Sequence, residues 1–384
     1  MGIPIKDVLE TKISPNTFLA LHETDGVGTL TIKKIVNYGI KEGNAALRQA
    51  ESFREGDWRE IGLSVKQAAA IVEGLRPDVV YERIQKYANR GISYMTYIDR
   101  TYPALLREIA DPPWVLYYKG NCELALHPAI AMVGTRLATS YGRKAAEEIA
   151  AGCAERMTVV SGLARGIDTA AHLGALNKPC GTIAVLGAPV NYCYPPENKA
   201  LFRDIEKKGL LISETVPDTP LRPGLFPLRN RIIAGLSHGV IVVEAAERSG
   251  ALITADLAIG YERDVFVVPG PITSPRSEGA LKYYRKGATP VLDESDIFRA
   301  YSHILPEIPA PKRSYNGQID HRLQAISLSE DETLIYNFLL DQHRTINELS
   351  IESGMTFGLL HSVLLSLLIK RRIHQQPGSV YTVL

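Results

Sequence analysis

Short runs of apolar residues alternate with helix-like stretches over residues 92–300, and this alternation constrains the fold more than any other feature of the sequence. The helix-like stretches include 141–156, 166–176 and 252–262, and the apolar runs are IAMV, TVV, TIAVL, LLIS, GVIVVE and VFVVP. Continuous Val/Ile runs separated by helices are typical of parallel strands that are covered on both faces. The sequence therefore predicts an α/β fold built on an extended Rossmann-like parallel sheet.

Segments of different character flank the predicted sheet. Apolar residues recur at helical spacing on both sides of the Asp25–Gly28 turn, which predicts a helical domain over residues 1–88. This domain is either a helix-hairpin-helix unit or a small bundle whose glycines only make tight turns. We predict that the sheet domain spans 89–301 and that a Pro-bearing linker spans 302–325. Three helices and a hairpin over 326–384 indicate a winged helix.

Glycines and a basic residue follow two of the predicted strands. The residues after the IAMV and TVV runs are Gly134, Thr135, Arg136, Ser161, Gly162 and Gly166. In open parallel sheets, ligands bind beyond the carboxyl ends of the strands, where glycine loops and helix N-termini present backbone N–H groups to anions. The guanidinium of Arg136 adds a donor that forks onto phosphate. The pattern predicts a phosphorylated ligand, either a nucleotide or a nucleic-acid backbone.

Carboxylates near these loops support an enzymatic alternative. Asp168 and His172 share one helix face, so they are either a general base with its orienting group or partners in structural hydrogen bonds. Glu214 and Glu244, at strand ends, are the candidate carboxylates of a nucleotide-binding enzyme such as a phosphoribohydrolase. No Walker lysine motif occurs, and the four cysteines lack metal-ligand spacing. We therefore predict no metal and no cofactor, while a nucleotide-binding enzyme and a binding protein with no catalytic residue both remain open at this point.

The charge balance and the hydropathy exclude two classes of protein. A net charge of +1 over 384 residues is too small for a histone-like polybasic protein, although it allows a local basic pocket. No apolar run is long enough to cross a bilayer as a helix, and MGIPIKDVLE lacks the pattern of a signal peptide. We expect a cytoplasmic protein that has no membrane partner.

Several long motifs, in a characteristic order, closely resemble the DNA processing protein A family (DprA, also called Smf). They fall within residues 95–295 and read VGTRLATSYG, SGLARGIDTAAHLGAL, TIAVLG, YPPEN, FPLRNRIIAGLS, VVEA, SGALITA and VPGP. The resemblance implies a protein that binds and protects incoming single-stranded DNA during natural transformation, without enzymatic turnover. It also implies that the protein loads a RecA-type recombinase and forms a homodimer through the Rossmann-like domain. The flanks fit the family's sterile-alpha-motif-like and winged-helix domains.

The same resemblance assigns the site residues by motif position. The residues of the two strand-end loops become members of a DNA pocket, and the FP-x-RNR segment adds Arg229, Asn230 and Arg231. The lysine that some relatives carry after a Tyr-Pro pair is replaced by Pro196, and the nearest basic residue is Lys199, which we add to the predicted site. Tyr192 and Tyr194 offer a stacking face for bases or pack in the core.

Overall fold

The structure is a computed structural model, in which the chain forms two compact units, Met1–Glu307 and Ile308–Leu384. The structure describes residues 3–43, 46–222, 224–305, 328–341, 344–370, 372–376 and 380–383. Most of the predicted linker, and the Pro-Gly turn expected at 377–378, lie outside these ranges.

A nine-stranded sheet lies at the centre of the first unit, in the order β1-β2-β6-β5-β4-β3-β7-β8-β9. The strands from β3 onward pair in parallel, while β2 pairs antiparallel with β1 and with β6. This confirms the predicted α/β fold with a large, mostly parallel sheet. The strands are β1 (Ser93–Thr96), β2 (Val115–Gly120), β3 (Ala129–Val133), β4 (Thr158–Ser161), β5 (Thr182–Val185), β6 (Leu210–Ser213), β7 (Gly239–Val242), β8 (Asp264–Val267) and β9 (Thr289–Pro290).

The helices of the first unit fall into two groups. Six precede the sheet: α1 (Ile5–Glu10), α2 (Pro15–Glu23), α3 (Thr29–Glu42), α4 (Glu55–Glu60), α5 (Val65–Gly74) and α6 (Pro77–Ala88). The others follow β1: α7 (Ala104–Arg107), α8 (Ser140–Cys153), α9 (Ile167–Ala175), α10 (Lys199–Lys208), α11 (Leu225–Leu236), α12 (Gly250–Gly260), α13 (Glu278–Arg285) and α14 (Glu294–Ala300). The predicted boundary at 88/89 lies between α6 and β1.

The order of the strands reverses between β3 and β7. From β3 the chain adds β4, β5 and β6 successively on one side, and it then crosses back to add β7, β8 and β9 on the other. Every residue of β3, β4, β5 and β7 is buried, as expected for strands covered on both faces. A reversal of this kind leaves a crevice beyond the carboxyl ends of the two diverging strands, and such crevices hold ligands in open α/β sheets.

The N-terminal helices share a hydrophobic core with the antiparallel edge of the sheet. The ring of Phe18 in α2 stacks on Trp114 with 5.4 Å between centroids. Tyr117 in β2 donates to Glu23 Oε1 at 2.6 Å, and His22 Nε2 lies 2.9 Å from the backbone oxygen of Glu214. The helical segment is therefore packed onto the sheet through buried aromatic rings.

The described residues of the second unit form three helices and a three-stranded antiparallel sheet, in the order β10-β12-β11. Its buried Glu332 accepts hydrogen bonds from Lys370 Nζ at 2.6 Å and Ser366 Oγ at 2.5 Å, and these donors lower the pKa of that carboxyl to about 2. The elements are α15 (Glu330–Asp341), β10 (Arg344–Thr345), α16 (Ile346–Ser353), α17 (Phe357–Ile369), β11 (Ile373–Gln376) and β12 (Val380–Val383).

Within the described ranges, no single helix is long and apolar enough to cross a bilayer. The pair α16 and α17 reaches the necessary length and composition only when the two are added together, and it is bent by 115° at the break between them.

Candidate phosphate-binding cleft

A cleft of about 760 Å³ lies at the reversal point, beyond the carboxyl ends of β3, β4 and β7. The loops after these strands and the first turns of α11 and α12 form its walls. The lining includes five of the predicted residues and three from the start of α12: Gly134, Thr135, Arg136, Arg229, Asn230, Ser249, Gly250 and Ala251. Its position is that of a ligand site in an open α/β sheet.

Glycines bring the loops after β3 and β4 into direct contact. Gly166 has φ +77°, and a Cβ there would lie 2.3 Å from the backbone oxygen of Thr135. A Cβ on Gly134 would lie 2.4 Å from Cγ1 of Ile167. Since real atoms do not approach so closely, side chains at these positions would push the two loops apart. The predicted glycines thus set the shape of the cleft floor.

Two buried side chains hold the loop that follows β4. Asp168 Oδ2 accepts the backbone N–H groups of Gly162 at 3.1 Å and Ala164 at 3.3 Å. His172 Nε2 accepts the N–H of Leu163 at 3.3 Å, and Leu163 has the uncommon φ of +57°. Asp168 and His172 therefore each bond to the loop backbone, which supports the structural alternative for this pair.

The hydrogen bonds of His172 define its tautomer. The hydroxyl of Thr182 donates to the Val159 oxygen at 2.8 Å, so it accepts from His172 Nδ1 at 2.7 Å. Nδ1 then carries the proton and Nε2 is the acceptor that faces Leu163. Burial lowers the pKa of His172 to about 3, so the ring is neutral at physiological pH.

Arg229 is a buried part of the cleft wall. Its Nη1 donates to the backbone oxygen of Gly162 at 2.6 Å and to that of Val185. A Cβ on Gly162 would lie 2.5 Å from the same nitrogen, so only glycine leaves room for the guanidinium. Burial lowers the pKa of Arg229 to about 10, an effect that the nearby Asp168 opposes. The side chain stays charged at neutral pH and joins the ends of β4 and β5.

Arg136 differs from Arg229 because it is exposed on the rim of the cleft. Among the residues that the structure describes, its guanidinium has no hydrogen-bond or ion-pair partner. The neighbouring Thr135 is anchored through its N–H, which donates to the Glu244 oxygen at 2.7 Å. An anchored loop with an unengaged guanidinium presents a forked donor to whatever occupies the cleft.

Five of the predicted residues do not line the cleft itself. Ser161 is fully buried and donates from Oγ to the Met132 oxygen at 2.7 Å. Arg231 binds both carboxylate oxygens of Glu214, at 2.8 and 2.7 Å. Lys199 is exposed at the first position of α10. The remaining two, Gly162 and Gly166, line recesses that adjoin the cleft.

The two candidate enzymatic carboxylates are engaged in structural contacts. Glu244 is buried and accepts from the backbone N–H of Thr139 at 2.9 Å and from its hydroxyl at 2.5 Å. Glu214 is held by Arg231 as described above. Neither side chain lines the cleft. Within the described ranges, no three His, Cys, Asp or Glu side chains are grouped to hold a metal ion.

Apolar side chains complete the lining, and sequence reasoning missed most of them. Tyr194 lies against Phe226 with 5.1 Å between ring centroids, and both line the cleft. Ile233 and Ile253, from α11 and α12, also face the space. Tyr192 is half exposed and lies outside the lining. The available signal was helical spacing, because Phe226, Arg229, Asn230 and Ile233 recur along one face of a helix.

The fold and the cleft define a doubly wound α/β protein whose ligand site lies at the reversal of its strand order. Residues 93–302, more than half of the chain, match the model of the family described as DNA recombination-mediator protein A. The chain belongs to this family, and the resemblance found in the motifs is confirmed.

Individual relatives agree with the family match. DNA processing protein DprA from Streptococcus pneumoniae is 43% identical over 204 residues, which are 53% of this chain and 72% of that protein. The X-ray structure of DprA from Streptococcus pneumoniae superposes with a TM-score of 0.65 at 35% identity, covering 75% of this chain and 98% of that one. A structure of DNA processing protein A from Helicobacter pylori, described as giving insight into its single-stranded DNA binding mode, superposes with a TM-score of 0.51 at 29% identity. The match covers 56% of this chain and 97% of that one.

Proposed function

We propose that this protein binds single-stranded DNA in the cleft at the strand reversal. The observation that carries the proposal is the unengaged guanidinium of Arg136 beside glycine loops whose backbone is anchored. Phosphate groups need donors that are fixed in place and free of internal partners, and this rim supplies both. The single-strand binding of the Helicobacter pylori relative supports the same ligand.

The lining suits a strand because it offers contacts for both backbone and bases. Arg136 offers its guanidinium to phosphate, while Arg229 and Asn230 form another part of the wall. The adjacent rings of Tyr194 and Phe226 offer faces on which bases stack. Ser161 and Arg231 act indirectly, because Ser161 bonds to the neighbouring strand and Arg231 pairs with Glu214. We propose that the exposed Lys199 contacts the strand outside the cleft.

Binding without turnover is favoured over a nucleotide enzyme. A phosphoribohydrolase needs a carboxylate at the reacting atoms, yet Glu214 and Glu244 are both engaged in structural contacts away from the lining. Asp168 does line the cleft, but one of its oxygens accepts two loop amides. The remaining role for these carboxylates is to hold the walls, and the protein needs no cofactor for it.

Family membership supports a wider role in DNA processing. We infer that the protein protects incoming single strands in the cytoplasm and loads a RecA-type recombinase on them during natural transformation and recombination. The domain plan consists of a helical domain over 1–88, a sheet domain over 89–301, a linker over 302–325 and a winged helix over 326–384. The three helices and antiparallel strands of the second unit support a winged helix. Its Lys370 is engaged by Glu332, which favours a protein-contact or structural role over phosphate binding.

The affinity for oligo-dT is expected to fall linearly when log K is plotted against log salt. Each phosphate neutralised on a single strand contributes a slope of about −0.7, because its counterions are released on binding. Fluorescence anisotropy with labelled oligo-dT over a range of NaCl concentrations gives the slope. A mononucleotide is the matched competitor, and we expect it to displace the strand poorly. A flat salt dependence, or tight mononucleotide binding, would favour the nucleotide enzyme.

We also propose that the protein is a homodimer through residues 89–301, on the basis of its family. Light scattering on the full chain at tens of micromolar is expected to give twice the 42.2 kDa chain mass. The same measurement with saturating oligo-dT controls for assembly on DNA. A mass of one chain in the absence of DNA would rule the dimer out.

A further inference from the structure

A second groove, of about 580 Å³, adjoins the cleft across the side chains of Arg136 and Leu137, which line both spaces. This groove lies over the first turns of α8 and α9 and reaches the loop before α13. Four arginines line it, namely Arg136, Arg143, Arg165 and Arg276, together with a single acidic residue, Glu147. We name this space the arginine groove.

The arginines of this groove are exposed and differ in how far their charge is engaged. Arg165 pairs with Glu197, and Arg143 donates to the Ala138 oxygen at 2.5 Å, bracing the start of α8. In the described part of the chain, the guanidinium of Arg276 has no hydrogen-bond or ion-pair partner. Arg136 is likewise unengaged. With four arginines against Glu147 in the lining, and with Arg165 paired to Glu197, the described residues leave the groove with a positive excess.

The crest between the two spaces is apolar. Leu137 is 73% exposed although it is a large hydrophobic side chain, and it stands beside the Arg136 guanidinium. Phosphates of a strand crossing at this point would meet arginine, and the apolar faces of its bases would meet leucine. An alternation of cations and apolar contacts matches the repeating phosphates and bases of a polynucleotide, whereas a mononucleotide would contact only part of it.

We propose that a single strand leaves the cleft over Arg136 and Leu137 and continues along the arginine groove, where Arg143 and Arg276 contact its phosphates. This inference rests on the proposed function, since it extends the path of the same ligand. It means that the cleft takes a short oligonucleotide and that the groove is occupied only when the strand is longer. Arg276 is then a contact that depends on oligonucleotide length.

The test is to measure the affinity of Arg276→Ala for oligo-dT from about four to about sixteen nucleotides, the span of known single-strand site sizes. We expect the variant to match the wild type on the shortest oligonucleotides and to bind the longest about three- to tenfold more weakly. Its salt slope on long strands is expected to be smaller by about 0.7, the loss of one phosphate contact. Arg143→Ala is expected to act in the same way.

Arg299→Ala is the matched control, because Arg299 is 76% exposed, lines neither the cleft nor the arginine groove, and among the described residues pairs with Asp296. This variant should bind oligo-dT of every length as tightly as the wild type does. An effect of Arg276→Ala that is equal on short and long strands, or absent on both, would overturn the proposed path. If Arg136→Ala still weakens all lengths in that case, the cleft itself stands; if it has no effect, the proposed function fails as well.

Discussion

Replacing Arg136 by alanine is expected to weaken oligo-dT binding by about 1.5–3 kcal/mol, the range for hydrogen bonds to a charged group. This corresponds to an increase in Kd of about ten- to a hundredfold. The physical reason is that Arg136 is the exposed, unengaged guanidinium on the cleft rim, so its donors are available to phosphate. Fluorescence anisotropy at fixed salt measures the loss.

A conservative variant sharpens this prediction. Arg136→Lys keeps the charge but loses the planar fork, so we expect its affinity to lie between those of the wild type and Arg136→Ala. Thermal unfolding should change little in either variant, since an exposed loop side chain contributes little to the core. Wild-type affinity in Arg136→Ala, with Arg299→Ala as the charge-matched reference, would remove Arg136 from the site.

Acidification from about pH 6.5 to pH 3 is expected to cost about 4–5 kcal/mol of folding free energy through His172 alone. The pKa of this histidine is about 3 in the folded protein, against about 6.5 when unfolded. Because the folded value is depressed, protons bind preferentially to the unfolded chain as the pH falls through this window, at about 1.4 kcal/mol per unit. The contribution of His172 to the free energy of unfolding is fully present above about pH 6.5.

The buried bonds of His172 explain why the folded chain resists protonation. A second proton would place an N–H on Nε2 directly opposite the N–H of Leu163, which Nε2 now accepts. Burial also raises the pKa of Asp168, and proton uptake there offsets part of the acid loss. Comparison with His172→Gln separates the two contributions, because both proteins keep Asp168.

Chemical denaturation of the two proteins between pH 7 and pH 3 is the measurement. His172→Gln should be less stable at neutral pH, and its deficit should shrink as the pH falls. If the variant does not fold, the ring resonances of His172 in the wild type serve instead, and they should stay unshifted down to about pH 4. A ring that titrates near pH 6.5 would contradict the structural role.

The central sheet and its glycine loops could be predicted because they follow from local patterns. Val/Ile runs identify buried parallel strands, and the chain direction then places Gly134 and Gly162 at their carboxyl ends. The reversal between β3 and β7 could not be read in the same way, since the strand order depends on packing between segments distant in sequence. The cleft was therefore predicted from its loops and not from its topology.

Arg231 and Ser161, which do not line the cleft, show what a local sequence pattern leaves undetermined. Arg229 and Arg231 are two apart on α11, so they lie about 200° apart around the helix and cannot both face the same space. Ser161 is the last residue of β4, and its hydroxyl bonds to the neighbouring strand. The family resemblance assigns all three residues to one pocket, whereas the helical and strand periods separate them.

The buried aromatic contact between the N-terminal helices and the sheet has a consequence for shortened forms of the protein. Trp114 and Tyr117 are 3% and 0% exposed, and their cover comes from α2 and α6 through Phe18, His22 and Tyr87. A chain that begins at β1, whether from an internal start codon or from proteolysis, would present these rings to water. Such a fragment would carry an exposed apolar patch and would tend to aggregate, so the helices before β1 are needed to keep the sheet domain in solution.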